Sequence, residues 1–223
     1  MGRGLVIFDC DGVLIDSEII SAQMLIDALS DRGLMIDLPY VAQNFLGRSY
    51  PVVMQQIRDE FGLDLPLSFE DDYRERLLEG FRTGLRIMPG VSDVIDALAL
   101  PCCVATSSSP RRVEMSLRLV GLWDRLGDHV FTASQVARGK PAPDLFQFAA
   151  DRMGYDPEDC LVIEDSLTGI AAARAAGMEV WHFVGGSHMA GLRQSKPEAI
   201  AADLRFASFA EFFQIAPDAK RQA

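Results

Sequence analysis

The chain has 223 residues, a formal net charge of −11 from 21 Lys and Arg against 32 Asp and Glu, and 49% hydrophobic residues. That length and apolar content support one large core, or a core with a substantial insertion. The acidic balance argues against nucleic acid or an anionic membrane as the main partner, and no apolar run approaches a membrane span.

Leu5-Val6-Ile7-Phe8 is a short apolar run that reads as a buried strand, and Asp11-Gly12 reads as the turn that ends it. Asp9 and Asp11 then leave the strand end on one side, and two like charges held that close call for a shared cation or proton. From Ser17 to Leu85 the spacing predicts helices only. One runs through Ile19, Met24 and Leu29 to a stop at Arg32-Gly33, one through Val52 and Ile57 towards Gly62, and one begins near Ser68, where Ser68-Phe69-Glu70-Asp71 resembles a capping box. After Met88-Pro89-Gly90 strands and helices alternate. Cys102–Ala105, His129–Phe131, Leu161–Ile163 and Glu179–Phe183 read as strands, each but the last followed by a helix that Gly121, Gly154 or Gly177 ends. Alternation of this kind specifies a parallel sheet flanked by helices. The expected architecture is therefore an α/β, Rossmann-like core made of residues 1–16 and 86–223, with an all-helical cap at 17–85, and residues after Pro217 expected to fray. Cys10, Cys102, Cys103 and Cys160 form no C-x-x-C pair and read as inert thiols of a cytoplasmic protein.

The strand ends carry the chemistry. Asp9 and Asp11 close the first strand, Thr106-Ser107-Ser108-Ser109 the second, Gly139-Lys140-Pro141-Ala142-Pro143-Asp144 follows the third, and Glu164-Asp165-Ser166 closes the fourth. Singly, each has an ordinary reading as a turn, a helix cap or a solvated lysine. Helix caps do not explain acids, hydroxyls and a lysine at four consecutive strand ends that face one crevice. A carboxylate nucleophile, charge-offsetting groups and hydroxyls that hold phosphoryl oxygens are the parts phosphoryl transfer requires.

These motifs resemble, over nearly the full length, those of the haloacid dehalogenase-like hydrolases, in the branch with a helical cap inserted after the first motif. The run from Asp9 to Glu18 matches the first motif, Thr106 the second, Lys140 the third, and Glu164-Asp165-Ser166 with Gly169 the fourth. The resemblance implies that Asp9 attacks phosphorus and that Asp11 carries protons. It implies that Thr106 and Lys140 hold the phosphoryl group, with Ser107 beside them. Mg²⁺ would bind Asp9, the Asp11 carbonyl and Asp165, with Glu164 in support. Gly47 and Arg48, in a cap loop, are candidates for the distal part of the substrate, and the three histidines, at 129, 182 and 188, are given core or surface roles.

Asp11 argues against dehalogenation, since a halide leaving group needs no proton, and the lysine-free span from Ser17 to Leu85 removes a Schiff-base phosphonate cleavage. β-Phosphoglucomutase-like relatives carry a histidine where Ser21 stands and place their cap arginine differently from Arg48. The favoured activity is thus a phosphatase for a small phosphorylated metabolite such as a sugar or sugar-acid phosphate, with a mutase as the alternative. From other classes, a receiver module is too short, and a catalytically silent binding protein is opposed by the intact motifs. A monomer is the default, and a dimer is compatible.

Overall fold

The computed structural model describes residues 2–45, 48, 50–63, 65–191 and 202–221. Among them six strands form one parallel sheet in the order β3-β2-β1-β4-β5-β6: β1 (Leu5–Phe8), β2 (Cys102–Thr106), β3 (Val130–Thr132), β4 (Cys160–Glu164), β5 (Glu179–Phe183) and β6 (Leu204–Phe206). The first strand sits in the middle, and the chain builds outward to one side through β2 and β3, then crosses over to β4. The β1–β4 boundary is therefore the topological switch point, where open α/β sheets bind ligands. Along β1 successive side chains alternate: Val6 and Phe8 join one apolar cluster, Leu5 and Ile7 the other. A strand buried on both faces has to be apolar at every position, which is why Leu-Val-Ile-Phe shows no polar alternation.

Four helices, α1 (Glu18–Ser30), α2 (Leu38–Asn44), α3 (Tyr50–Phe61) and α4 (Leu67–Gly84), lie between β1 and β2, followed by α5 (Val91–Ala97). The chain leaving β1 and the chain returning from α4 are clasped together. Ile15 and Ile87 form an antiparallel bridge, the Asp16 N–H donates to Arg86 O at 2.9 Å, and the Met88 N–H donates to Leu14 O at 2.9 Å. Leu25, Leu29, Met54, Ile57 and Phe81 of these helices share one buried cluster with Val6, Phe8 and Ile163 of the sheet. The remaining helices flank the sheet: α6 (Pro110–Leu119), α7 (Trp123–Leu126), α8 (Asp144–Met153), α9 (Leu167–Ala175), α10 (Ser187–Gly191) and α11 (Phe212–Ile215). Among the described residues no helix is long and apolar enough to cross a membrane.

Several local expectations are corrected. Helix α4 starts one residue before Ser68, with Pro66 at its N-cap and no side-chain cap bond, so Ser68 does not cap it. Helix α2 adds a helix, between Gly33 and Val52, to those expected: Asp37 accepts from the Tyr40 N–H at 2.9 Å and Pro39 sits in the first turn, both ordinary start signals. Strand β6 adds an edge too short to show a pattern. Residues 218–221 do not fray: the Arg221 N–H donates to Ala97 O at 2.9 Å, the Ala99 N–H to Ala219 O at 2.8 Å, and Ala219 is fully buried; the last two residues lie outside the described ones.

Strand β6 also closes an aromatic cluster. Phe206 lies 5.2 Å from Phe183, 5.6 Å from Phe209, 6.1 Å from Trp181 and 6.3 Å from Phe212, ring centre to ring centre. Phe206→Ala is expected to cost about 3–5 kcal/mol, the range for emptying a buried phenylalanine site. Urea unfolding followed by tryptophan fluorescence measures it, and a loss below about 1 kcal/mol would show that the sheet edge is not packed as described.

Candidate active site

Asp9, Asp11, Thr106, Ser107, Lys140, Glu164 and Asp165 converge on the carboxyl edge of β1, β2 and β4, whereas Asp144, from the same run as Lys140, pairs with Arg138 instead. Asp9 follows β1 directly, and its N–H continues the parallel ladder by donating to Ile163 O at 2.9 Å. The next residues turn back sharply: the N–H groups of Leu14 and Ile15 donate to Cys10 O at 2.9 and 3.1 Å. Gly12 sits at the tip with φ +80°, and a Cβ there would lie 1.9 Å from Asp165 Oδ2. Glycine is required here twice over, by the backbone angle and by the approach of β4's end.

Lys140 reaches the same point from the loop after β3. Its Nζ donates to Asp9 Oδ1 at 2.6 Å, to Glu164 Oε1 at 2.7 Å and to Ala105 O at 3.0 Å, and its side chain is only 2% exposed. The other Glu164 oxygen accepts from the Ser166 N–H at 2.7 Å and the Ser166 hydroxyl at 2.9 Å. Ser166 in turn caps α9 by accepting from the Gly169 N–H at 3.0 Å, so the cap reading and the site reading of this residue both hold. Burial works against the charge on Lys140, yet Asp9 and Glu164 outweigh it and raise its pKa, so the lysine stays protonated. Asp9 is pushed well above the usual carboxylate range, first by burial; Lys140 opposes this, and Glu164, Asp165 and Asp11 add to it.

Asp11 has a different environment. It accepts from Ser17 Oγ and Ser108 Oγ, both at 2.6 Å, and from Arg112 Nη2 at 2.6 Å. Burial pushes it up, but the Arg112 charge and these hydrogen bonds prevail and hold it below its ordinary value. Arg112 on α6 also donates to Ser21 Oγ at 3.1 Å on α1, and its guanidinium lies 5.2 Å from the Phe81 ring centre on α4. Glu18, at the start of α1, is raised to about 8 by burial and by the nearby Asp11 and Asp165. Ser17, Glu18, Ser108 and Arg112 received no individual role from the sequence. The only signal for Arg112 was its place two residues into a helix that begins at a strand end.

Thr106 is buried at the end of β2, where its Oγ1 accepts from the Ser108 N–H at 3.0 Å. Ser107 lines the cavity that opens over Asp9 and Lys140, a space of about 760 Å³ between the sheet edge and helices α1, α3 and α4. Arg48 lines it as well, exposed, with Nη1 donating to Gln56 Oε1 at 2.8 Å. Gly47 lies outside the described residues. Of the histidines, His129 is exposed and His182 lies in β5, as expected. His188 is buried against Asp165 at the site, a contact no spacing in the sequence showed.

Asp9, Glu164 and Asp165 can each present a carboxylate oxygen within 4.8 Å of the others. Three hard oxygens at that spacing, with Asp9 and Asp165 both raised by burial and mutual repulsion, fit a small divalent cation, which would reverse the crowding. Glu164 already uses both oxygens on Lys140 and Ser166, so Asp9 and Asp165 are the freer donors.

Residues 4–177 match the family model of the haloacid dehalogenase-like hydrolases. The chain is similar to a 6-phosphogluconate phosphatase of Escherichia coli (28% identical, covering 82% of this chain and 83% of that one). It is also similar to a fructose-1-phosphate phosphatase of the same organism (34% identical, 78% and 93% covered). Among solved structures it resembles a haloacid dehalogenase family hydrolase of Deinococcus radiodurans with bound phosphate and sodium (TM-score 0.76, 33% identical, 97% and 96% covered).

Lys140→Met removes the one cation that Asp9 and Glu164 share. Breaking such a buried pair is expected to cost about 3–5 kcal/mol in metal-free buffer. The variant's Asp9 pKa rises further, and an acid raised on folding gains stability as pH falls through its folded value. The deficit should therefore be larger at about pH 8 than at about pH 5. Denaturant titrations at both pH values check this, and an equal deficit would contradict the pairing.

Proposed function

The chain belongs to the haloacid dehalogenase-like hydrolases, and on that premise we propose that it is a phosphatase acting on a small phosphorylated metabolite, a sugar or sugar-acid phosphate. The observation that carries this reading is the buried set of Asp9, Lys140, Glu164 and Asp165 at the switch point of the sheet, with Thr106 beside it. The two Escherichia coli relatives named for phosphosugar substrates and the phosphate bound in the Deinococcus radiodurans relative support it.

In this reading an Asp9 carboxylate oxygen attacks phosphorus while the ester P–O bond breaks, leaving an aspartyl-phosphate and an alcohol. Lys140 holds the Asp9 oxygen in place and, with Thr106 and the nearby Ser107, holds phosphoryl oxygens. Asp11 gives a proton to the leaving oxygen. It then takes one from the water that attacks the aspartyl-phosphate, which releases inorganic phosphate and restores Asp9. Ser17, Ser108 and Arg112 are what hold Asp11 ionised, so Asp11 leaves these donors as substrate seats, takes up a proton from solvent, and enters the step as the acid facing the leaving oxygen. Mg²⁺ held by Asp9, the Asp11 carbonyl and Asp165, with Glu164 in support, would offset the negative charge that gathers there. Residues 17–85, which carry helices α1 to α4, act as the cap that excludes bulk water over the core of residues 1–16 and 86–223. Arg48, on the cap side of the cavity, holds the distal part of the substrate, with Gly47 next to it. Free thiols at all four cysteines suit the cytoplasm.

Phosphate release from a panel of sugar and sugar-acid phosphates should need Mg²⁺ and stop with EDTA. Asp9→Asn should lose at least about a thousandfold in kcat, as loss of a nucleophile does. Turnover by that variant at the wild-type rate would overturn the nucleophile assignment. Arg48→Ala should raise KM about tenfold for the best substrate with kcat little changed, the signature of lost ground-state binding; an unchanged KM removes Arg48 from the site.

A further inference from the structure

The segment after β5, Gly185-Gly186-Ser187-His188, delivers an imidazole to the back of Asp165. His188 is 4% exposed, and its Nε2 lies 3.0 Å from Asp165 Oδ2. The main chain around it is shaped for that contact. A Cβ on Gly186 would lie 2.6 Å from His188 Cε1, and one on Gly12 would lie 3.1 Å from the same atom, so two glycines border the ring. The start of α10 is tied down separately, since the Ser187 N–H and hydroxyl donate to Asp16 Oδ1 at 3.1 and 2.8 Å. Asp165 is held a second time by His182 on β5, whose Nε2 lies 3.0 Å from the Asp165 carbonyl oxygen. A carbonyl only accepts, so His182 donates there.

We infer that His188 is a positioning residue that fixes the Asp165 carboxylate for a divalent cation. The inference rests on the metal reading above and extends it to a residue outside the four motifs. A proton on Nε2 directed at Oδ2 pins one carboxylate oxygen and sets the carboxylate plane, so that the other oxygen is offered to the Asp9 side in one direction. Nδ1 then carries no proton, consistent with its being buried without a hydrogen-bond partner among the described residues. His188 is not among the residues lining the cavity, so it acts through Asp165 and does not touch the substrate. Partners of this kind orient metal-binding carboxylates, and their loss commonly weakens metal binding about 10–100-fold.

The test compares His188→Gln with His188→Met in the full chain, since the two side chains are close in volume and only glutamine can donate to Asp165. Mg²⁺ binding is measured by calorimetry without substrate, and melting temperature is measured in EDTA. The expected result is Mg²⁺ affinity about 10–100-fold weaker for His188→Met, recovered to within a few-fold of wild type in His188→Gln, with similar metal-free melting temperatures for the two. Equal Mg²⁺ affinities in the two variants, whether both wild-type-like or both weakened, would overturn the positioning role. A wild-type protein that binds no Mg²⁺ would instead overturn the metal reading, and this inference with it, so the two failures are distinguishable.

Discussion

The ammonium of Lys140, shut away from solvent between Asp9 and Glu164, is the interaction around which the site is arranged. A cation buried to this degree is tolerable only with its charge matched and its donors engaged, and here all three donors have acceptors: Asp9, Glu164 and the Ala105 carbonyl. The requirement propagates outward. Glu164 can face Lys140 because its second oxygen is held by Ser166, and Ser166 is fixed because it caps α9. Gly169, in the first turn of α9, must lack a side chain, since a Cβ there would fall 1.7 Å from Glu164 Oε1. The start of one helix thereby sets the position of the lysine, and through it the orientation of Asp9 at the end of the neighbouring strand, three strands earlier in sequence order.

The two aspartates of the first motif are separated chemically by their neighbours. Asp9 is crowded by acids and served by a lysine; Asp11 is served by three donors, Ser17, Ser108 and Arg112. Arg112 makes this contrast and also touches both α1 and α4, so the electrostatics of Asp11 and the seating of the helical insertion share one side chain. Among the described residues the cavity is lined by Arg48, Arg74, Arg111, Arg112 and Lys140 and also by seven Asp and Glu residues, so its cations sit among acids; Arg112 on Asp11 and Lys140 on Asp9 are the pairs at the strand ends.

Much of this was legible in the sequence because parallel strands bring their carboxyl ends to one edge. Once Leu5–Phe8, Cys102–Ala105 and Leu161–Ile163 are read as strands, Asp9, Thr106 and Glu164 become neighbours without further information. What could not be read were contacts made by residues whose position depends on how elements pack. Arg112 reaches Asp11 because α6 lies against α4, and His188 reaches Asp165 between Gly12 and Gly186, where side chains would crowd its ring. Strand β6 is not legible in the sequence, because Leu204-Arg205-Phe206 pairs at the sheet edge through β5 with too few residues for alternation to show. The tail past Pro217 looked polar and terminal, yet it bonds to the end of α5, a partner more than a hundred residues distant in sequence.

The clasp of Ile15 on Ile87 bears on how the molecule assembles from an extended chain. Val6 pairs with Cys102 and Leu161, so the central strand must find partners far along the chain, and contacts of that kind are slow because a long loop has to close first. Once residues 14–16 and 86–88 are bonded to each other, the helical stretch between them no longer counts in the path from β1 to β2, and the remaining gap is a single short helix with its connections. The insertion is thus topologically short-circuited. Its length enters once, in closing the clasp, where each doubling of the loop costs only about 0.6 kcal/mol more, and the part of the chain between the clasped ends can therefore vary in length at small cost to the assembly of the sheet.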